Sequence, residues 1–416
     1  MKYDVVFFTL FRTDNPYSSI SLSMAKELAK THRVFYVQHP YSLKDIAAGL
    51  FSGDKPLRAR LAHLLTGRVR YERLDAIPDN FTAVLPPPVL PVNWLPQGGI
   101  YNLFQKFNNG IVLRAIQNVL RDFNVTNYLY INCYDPFFAG VLPKNMNPAL
   151  CIYHCIDDIT QEPYTARHGA NLENRAIRDA DVTLVTSDNL KRLKMPYSDR
   201  IVPFYNAAEV SLFQKALSEK YPRPAELKGR SGKVIGFIGN LDALRIDYPL
   251  LKKTALAYPD NTLLLVGPVN SPEPQAIGLD KLPNVVFTGS RRLEALPPLL
   301  QYMDCVLIPF HCNTLTRSIY PLKINEYLAA GKPVVSTTFS DDIRGFSDVI
   351  RLAGRPEDFI RHIGEALAEN DPALVQRRLE TALSNTWEVR IRQLWEVVNI
   401  HTGKPSRSLN PITPEP

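Results

Sequence analysis

The sequence predicts an α/β protein made of two doubly wound, Rossmann-like domains facing a central cleft. Three observations carry that expectation. Apolar runs of strand length alternate with amphipathic stretches of helical length. The alternation is interrupted between Lys215 and Gly232 by a polar interval containing Pro222, Pro224 and Gly229. It then starts afresh at Val234-Ile235-Gly236-Phe237-Ile238. The 416 residues suit two or three domains at roughly 100 to 200 residues each. We therefore divide the chain into 1–215, 230–385, a closing helix at 386–400 and a disordered tail at 401–416, rich in Pro and Ser.

In chain order, Val5 to Leu10 reads as a strand, Ser18 to Thr31 as a helix and Arg33 to Val37 as a second strand, which is a βαβ opening. Strand-like runs follow at Tyr128 to Asn132, Cys151 to Cys155, Val182 to Thr186 and Ile201 to Phe204. After the interval, Thr262 to Val266, Val285 to Thr288, Cys305 to Pro309 and Pro333 to Thr337 repeat the pattern. Near-continuous apolar strands fit parallel sheets covered on both faces. Ala382 to Ile400, with Trp387 and Trp395, gives one last helical pattern. Ligands in such folds bind beyond the carboxyl ends of the strands, which places a site in the cleft.

Composition narrows the function classes. With 45% hydrophobic and 21% charged residues the chain is an ordinary globular protein, not a disordered one. The net charge, 48 − 41 = +7, favours anionic partners. Five cysteines without a CxxC pair argue against a disulfide framework or a zinc site, so a reducing, cytoplasmic setting is expected. No run approaches a membrane span, and Asp4 to Phe8 is too short for a signal peptide. Any membrane contact is therefore expected to be peripheral, at the inner face.

The stretch from Ser318 to Thr337 is the richest in chemistry. Pro321 suits a first helical turn, Gly331 the left-handed residue after a helix, and Pro333 forbids continuation. The free amides of that helix start, following the strand Cys305 to Pro309, form a ready anion site. Lys323 and Glu326 lie three apart on one face. A lysine there neutralises phosphate, and a carboxylate one turn deeper accepts two ribose hydroxyls. The competing reading is a surface ion pair.

These residues carry a resemblance. Pro321-Leu322-Lys323 with Glu326-Tyr327-Leu328-Ala329-Ala330-Gly331-Lys332-Pro333-Val334-Val335 resembles the donor-binding signature of GT-B retaining glycosyltransferases of the family 4 type, in the branch of teichuronic acid and exopolysaccharide enzymes. Ile152 to Asp158, Ala180 to Ser187, Asn206 with Phe213, Gly236 to Gly239 and Val286 to Gly289 agree in order. The resemblance implies a GT-B hexosyl- or other glycosyltransferase whose first domain takes the acceptor and whose second binds a nucleotide-sugar donor. It implies Pro321, Leu322, Lys323 and Glu326 on the donor, with Glu326 on the ribose. Asn240 and Arg245 stand near the family's phosphate-binding pair, and Gly289 and Arg291 near the nucleobase. Ser318 occupies the position where the family carries a glutamate beside the transferring sugar. No cofactor, metal or nucleic acid is implied. The partners are the donor, a glycan or lipid-linked acceptor, and an anionic membrane surface.

Remaining candidates have two readings each. Asp157 and Asp158, after a strand, either contact an acceptor hydroxyl or the donor sugar, or cap a turn. His154 reads first as a core residue, and Cys151 and Cys155 as packing residues. Lys44 to Arg73 carries seven basic residues against three acidic, interleaved with Leu57, Leu61, Leu64 and Leu65. That pattern is either an amphipathic element on anionic lipid or a basic helix with its apolar face on the core. The expected activity is sugar transfer from a nucleotide diphosphate to a hydroxyl with retention. The Ser318 departure leaves open a catalytically silent GT-B module that binds nucleotide or glycan and scaffolds polysaccharide assembly.

Overall fold

The computed structural model describes residues 3–14, 19–51, 55–75, 77–140 and 142–403. The first domain is an eight-stranded sheet of β1 (Asp4–Thr9), β2 (Val34–Gln38), β3 (Arg70–Glu72), β4 (Phe81–Leu85), β5 (Tyr128–Cys133), β6 (Leu150–Cys155), β7 (Val182–Val185) and β8 (Ile201–Pro203). The spatial order is β3-β4-β2-β1-β5-β6-β7-β8. All pairs are parallel except β3 with β4 at the edge. The second domain is a six-stranded parallel sheet of β9 (Val234–Ile238), β10 (Thr262–Val266), β11 (Val285–Phe287), β12 (Cys305–Ile308), β13 (Val334–Thr337) and β14 (Arg351–Ala353). Its order is β11-β10-β9-β12-β13-β14.

The apolar runs are strands because both faces of each sheet are covered. Val5 and Phe7 point into one core cluster while Val6 and Phe8 point into another. Ile235 and Phe237 likewise separate from Val234 and Ile238. In each sheet the chain reverses direction at the middle, beside β1 and beside β9, and those switch points open the space in which such folds bind ligands. Loops that follow strands of the two sheets touch: Arg245, after β9, pairs with Glu162, after β6, and Asp342, after β13, accepts from the Asp188 amide, after β7.

Three features depart from the sequence reading. Strands β3 and β14 are edge strands of three residues, too short to show a period, and β4 is followed directly by three prolines. The Lys44 to Arg73 segment is not one element: it holds the helices Leu43–Phe51 and Lys55–Leu64 and then β3. The last helical pattern breaks at Ser384 to Thr386, where the Thr386 hydroxyl caps a new helix, Trp387–Thr402. That helix returns to the first domain, placing Trp387, Ile391, Leu394 and Val398 in the same cluster as Val5 and Phe7. It runs through His401 and Thr402, two residues into the expected tail; residues 404–416 of that tail lie outside the described residues.

Candidate active site

The signature segment folds into the helix Leu322–Ala329. Pro321 is its N-cap, one position before the first helical turn, and the Ile324 amide donates to the Pro321 carbonyl at 3.0 Å. The amides of Leu322 and Lys323 precede that first bond, so they are free to face an anion. The other end closes as the sequence requires. Gly331 has φ +63°, its amide donates to Leu328 O at 2.9 Å, and the Lys332 amide donates to Tyr327 O at 3.1 Å. A Cβ on Gly331 would stand 2.9 Å from Val375 Cγ1. The buried Tyr327 hydroxyl accepts from the Ile238 amide at 2.8 Å, which fixes the helix against the carboxyl end of β9.

This helix start forms one wall of a pocket of about 190 Å³ between the domains. Ile319, Tyr320, Pro321, Leu322, Lys323 and Arg245 come from the second domain, and Asp157 and Asn206 from the first. Lys323 Nζ lies 2.9 Å from Glu326 Oε2, and Glu326 is only 4% exposed, so the two are held on one face. Arg245 is paired with Asp242 and, at 2.8 Å, with Glu162. Asn206 is 5% exposed and its Oδ1 has no hydrogen-bond partner among the described residues. A buried acceptor left in that state costs about 1–3 kcal/mol, which a ligand donor would relieve.

The adjacent carboxylates divide the two roles left open by the sequence. Asp158 caps a turn: its carboxylate accepts from the Thr160 amide at 3.1 Å, the Thr160 hydroxyl at 2.7 Å and Gln161 Nε2 at 3.2 Å. Asp157 lines the pocket. Burial pushes its carboxyl up to about 6, against the pull of Arg245, with Glu162 and Asp158 adding to the rise.

Ser318 is placed differently from the sequence expectation. It is 1% exposed, its hydroxyl accepts from Asn189 Nδ2 at 2.9 Å, and its carbonyl accepts from the Ser187 hydroxyl at 2.8 Å. It joins the domains, and it is not among the residues that form the pocket wall. Asn240, Gly289 and Arg291 also stand off the pocket wall, and Glu326 lies behind Lys323 instead of on the wall itself. Asn240 Oδ1 accepts from Asn270 Nδ2 at 3.2 Å, the Gly289 carbonyl accepts from the Gly267 amide at 3.0 Å, and Arg291 is paired with Glu226 at 2.5 Å. Gly267 has φ +144°, and a Cβ there would sit 1.8 Å from the Gly239 carbonyl oxygen, so the loops after β9 and β10 are pressed together beside the pocket. His154 is a core residue, held neutral by burial, which pushes its imidazole down to about 3. Cys151 and Cys155 are buried, with thiols pushed up by desolvation.

A second, larger space was not legible in the sequence. A cleft of about 1120 Å³ in the first domain is walled by Arg12, His39, Tyr41, Trp94 and Tyr101 and reaches Glu162. Because Glu162 pairs with Arg245, the cleft and the pocket meet at that ion pair. Polar residues directly after apolar strand runs were the only available signal for it. The basic segment contributes to this wall instead of forming one amphipathic face. Leu61 and Leu64 pack with Tyr41, Ile46 and Leu85, and buried Arg60 pairs with Asp14 at 3.1 Å and Glu72 at 2.9 Å.

Residues 232–370, which include the signature helix, match the family model of glycosyl transferases group 1. A protein of Bacillus subtilis (strain 168) assigned as the teichuronic acid biosynthesis glycosyltransferase TuaH is 26% identical over 343 residues, covering 71% of this chain and 85% of the relative. Among solved structures, the α,α-trehalose 6-phosphate synthase of Burkholderia multivorans has a TM-score of 0.68 at 11% identity, covering 97% of this chain and 99% of that one. HepE of Anabaena, in complex with UDP and glucose, has a TM-score of 0.61 at 15% identity, covering 95% and 99%. Two parallel-sheet domains of the GT-B kind, the second of them a glycosyl transferases group 1 domain, make this chain a glycosyltransferase.

Proposed function

We propose that the protein moves a sugar from a nucleoside diphosphate donor to a hydroxyl of a glycan or lipid-linked acceptor in cell-surface polysaccharide biosynthesis. The observation that carries the reading is the convergence of the free helix amides, Lys323, Arg245 and Asn206, whose Oδ1 is unpaired among the described residues, on one pocket between the domains. Lys323 and the helix start face the diphosphate, Glu326 the ribose, and Asp157 a hydroxyl of the transferring sugar. Asn240, Gly289 and Arg291 extend the donor side toward the base. Charge builds on the diphosphate as the sugar becomes oxocarbenium-like, and fixed positive groups stabilise that charge more than they do the bound donor. The protein's own cations supply this, so the reading calls for no cofactor or resident metal.

Retention belongs to the same proposal. The acceptor cleft joins the pocket at Glu162 and Arg245, on the side where the diphosphate is expected to depart, which favours attack from that face. Relatives support the substrate class: TuaH is assigned to teichuronic acid biosynthesis and HepE was solved with UDP and glucose. A thermal-shift screen of UDP, GDP and dTDP, alone and sugar-linked, followed by assay of donor hydrolysis, tests it. A raised melting temperature with at least one nucleotide series and turnover of the matching donor is expected. Absence of both would overturn it, and binding without turnover would indicate a silent module.

Peripheral contact with the inner face of a membrane is also proposed, through a different surface from the one the sequence singled out. Trp94, Ile100, Leu103 and Phe107 are 67%, 67%, 66% and 54% exposed. The last three lie three and four apart on the helix Gly99–Asp122, with exposed Lys106 beside them and Lys44 at the cleft mouth. An apolar stripe with basic neighbours next to an acceptor cleft suits an anionic bilayer carrying a lipid-linked acceptor. Among the described residues no helix is long and apolar enough to cross a membrane.

A further inference from the structure

The first-domain cleft is lined by an imidazole, backed by a buried carboxylate, and the donor site leaves the pair without a role. His39 directly follows β2, and Asp135 is the second residue after β5. Strand β1 lies between those two strands, so their loops meet over its carboxyl end. His39 Nδ1 is 2.6 Å from Asp135 Oδ2. Asp135 is fully buried, and its other oxygen accepts from the Phe137 amide at 3.1 Å.

The loop that carries Asp135 is held from several directions. Asn132 Oδ1 accepts from the Asp135 amide at 3.0 Å, and Asn132 Nδ2 donates to the carbonyls of Asp135 and Ala139 at 2.8 and 3.2 Å. The Tyr130 hydroxyl donates to the same Ala139 carbonyl. Tyr134 and Ala139 bracket the loop with φ of +62° and +44°, a left-handed conformation that side-chain-bearing residues avoid. Strain of this kind persists only where the surroundings over-determine it, and it gathers at functional sites.

A buried carboxylate on one imidazole nitrogen has two chemical consequences. It selects the tautomer with hydrogen on Nδ1, and it leaves the Nε2 lone pair free to take a proton. His39 lines the cleft wall. Its Nε2 has no partner among the described residues and is not one of the buried unpaired atoms, so it opens on the cleft.

We propose that His39 receives the acceptor hydroxyl in the cleft, with Asp135 as its positioning residue. The proposal rests on the glycosyltransferase reading above and adds to it the group that takes the proton. The acceptor O–H hydrogen-bonds to Nε2. As the acceptor oxygen forms its bond to the anomeric carbon, the bond from that carbon to the diphosphate oxygen breaks. The electron pair leaves with the nucleoside diphosphate, and the proton passes to Nε2 and then to solvent. The products are the glycoside, the nucleoside diphosphate and one proton, and no further reactant is needed. Water entering the cleft would use the same group, so donor hydrolysis reports on it.

The test compares wild type, His39→Ala, His39→Gln and Asp135→Asn as full chains. The probe is whichever nucleotide sugar, from a UDP-, GDP- and dTDP-linked panel, the wild type hydrolyses fastest. His39→Ala is expected to lose about 100- to 10,000-fold in turnover, with affinity for the nucleoside diphosphate unchanged. Added imidazole should restore part of the turnover of His39→Ala and leave the wild type unaffected. Asp135→Asn should lower turnover without moving nucleotide affinity. Should His39→Ala melt early, His39→Gln keeps a donor toward Asp135 and carries the same comparison. Wild-type turnover in these variants, or a folded His39→Ala that imidazole does not rescue, would make the pair a brace between loops and overturn the proposal alone. A wild type that neither binds nor hydrolyses any of the panel would overturn the donor reading and this proposal with it.

Discussion

The pocket between the domains and the cleft within the first domain are assembled in opposite ways. Five consecutive residues, Ile319 to Lys323, supply much of the pocket wall, and they lead into a helix whose two ends are written in the local sequence. The cleft draws its wall from Arg12, His39, Trp94, Tyr101 and Glu162, each on a different loop or helix. The pair of His39 on that wall with Asp135 behind it spans 96 positions of chain. A contiguous site keeps its identity in a motif, whereas a site built from strand ends exists only after the sheet has formed.

The largest expected effect is on the cleft wall. Arg60 is buried between Asp14 and Glu72, so Arg60→Ala takes the cation from Asp14 and leaves Glu72 with Arg70 alone, and should destabilise the fold by about 3 kcal/mol. Arg58 is exposed, and Arg58→Ala should leave the denaturant midpoint unchanged. Equal effects of the two would return this segment to a uniform basic surface.

On the pocket side, Glu326→Ala should weaken nucleoside diphosphate binding by about 1–3 kcal/mol, the range for losing hydrogen bonds to a charged group. Calorimetry with UDP, GDP and dTDP reads this directly, and unchanged affinities for all three would remove Glu326 from the ligand.

Asp157 gives a pH signature at the junction of the two regions. With its carboxyl raised to about 6, the folded chain keeps a proton that the unfolded chain has already released from about pH 4 upward. Stability is therefore lost as pH rises through that window, and the deficit persists above it. Asp157→Asn should gain about 1–3 kcal/mol at about pH 8 and almost nothing at about pH 4. A gain of equal size at both pH values would show that the charge is not the cause.

The smallest effect concerns the apolar stripe. Leu103→Ser with Phe107→Ser should reduce sedimentation with anionic vesicles several-fold, because each exposed side chain contributes only about 1–2 kcal/mol to interfacial burial. Donor hydrolysis should be unaffected, since neither residue lines the pocket. Wild-type protein that ignores anionic vesicles would leave the stripe without a lipid partner.

How far the sequence could be read follows the same division. The run from Pro321 to Gly331 specified its helix because Pro and Gly constrain the backbone whatever the rest of the chain does, and the buried Tyr327 then docked that helix. Asp157 and Asp158 were indistinguishable as neighbours, because only the Thr160 and Gln161 donors decide that the second is a turn cap. Ser318 fell in a motif position, yet its burial depends on Asn189 and Ser187 from the other domain. The leucines of the basic segment showed a helical period without showing what lay on their apolar side, which is Tyr41, Ile46 and Leu85. The exposed stripe of the helix Gly99–Asp122 escaped notice because apolar residues line both its buried and its open faces.

The most direct test of the donor site is calorimetry of Lys323→Ala against a nucleoside diphosphate and the matching nucleoside, using the base the wild type prefers. Lys323 sits at a helix start whose free amides face the pocket, so its charge should act on phosphate and on nothing else in the ligand. The expected result is a loss of about 10- to 100-fold for the diphosphate with the nucleoside affinity unmoved. Equal losses for both ligands, or none for the diphosphate, would contradict the placement of the diphosphate at this helix.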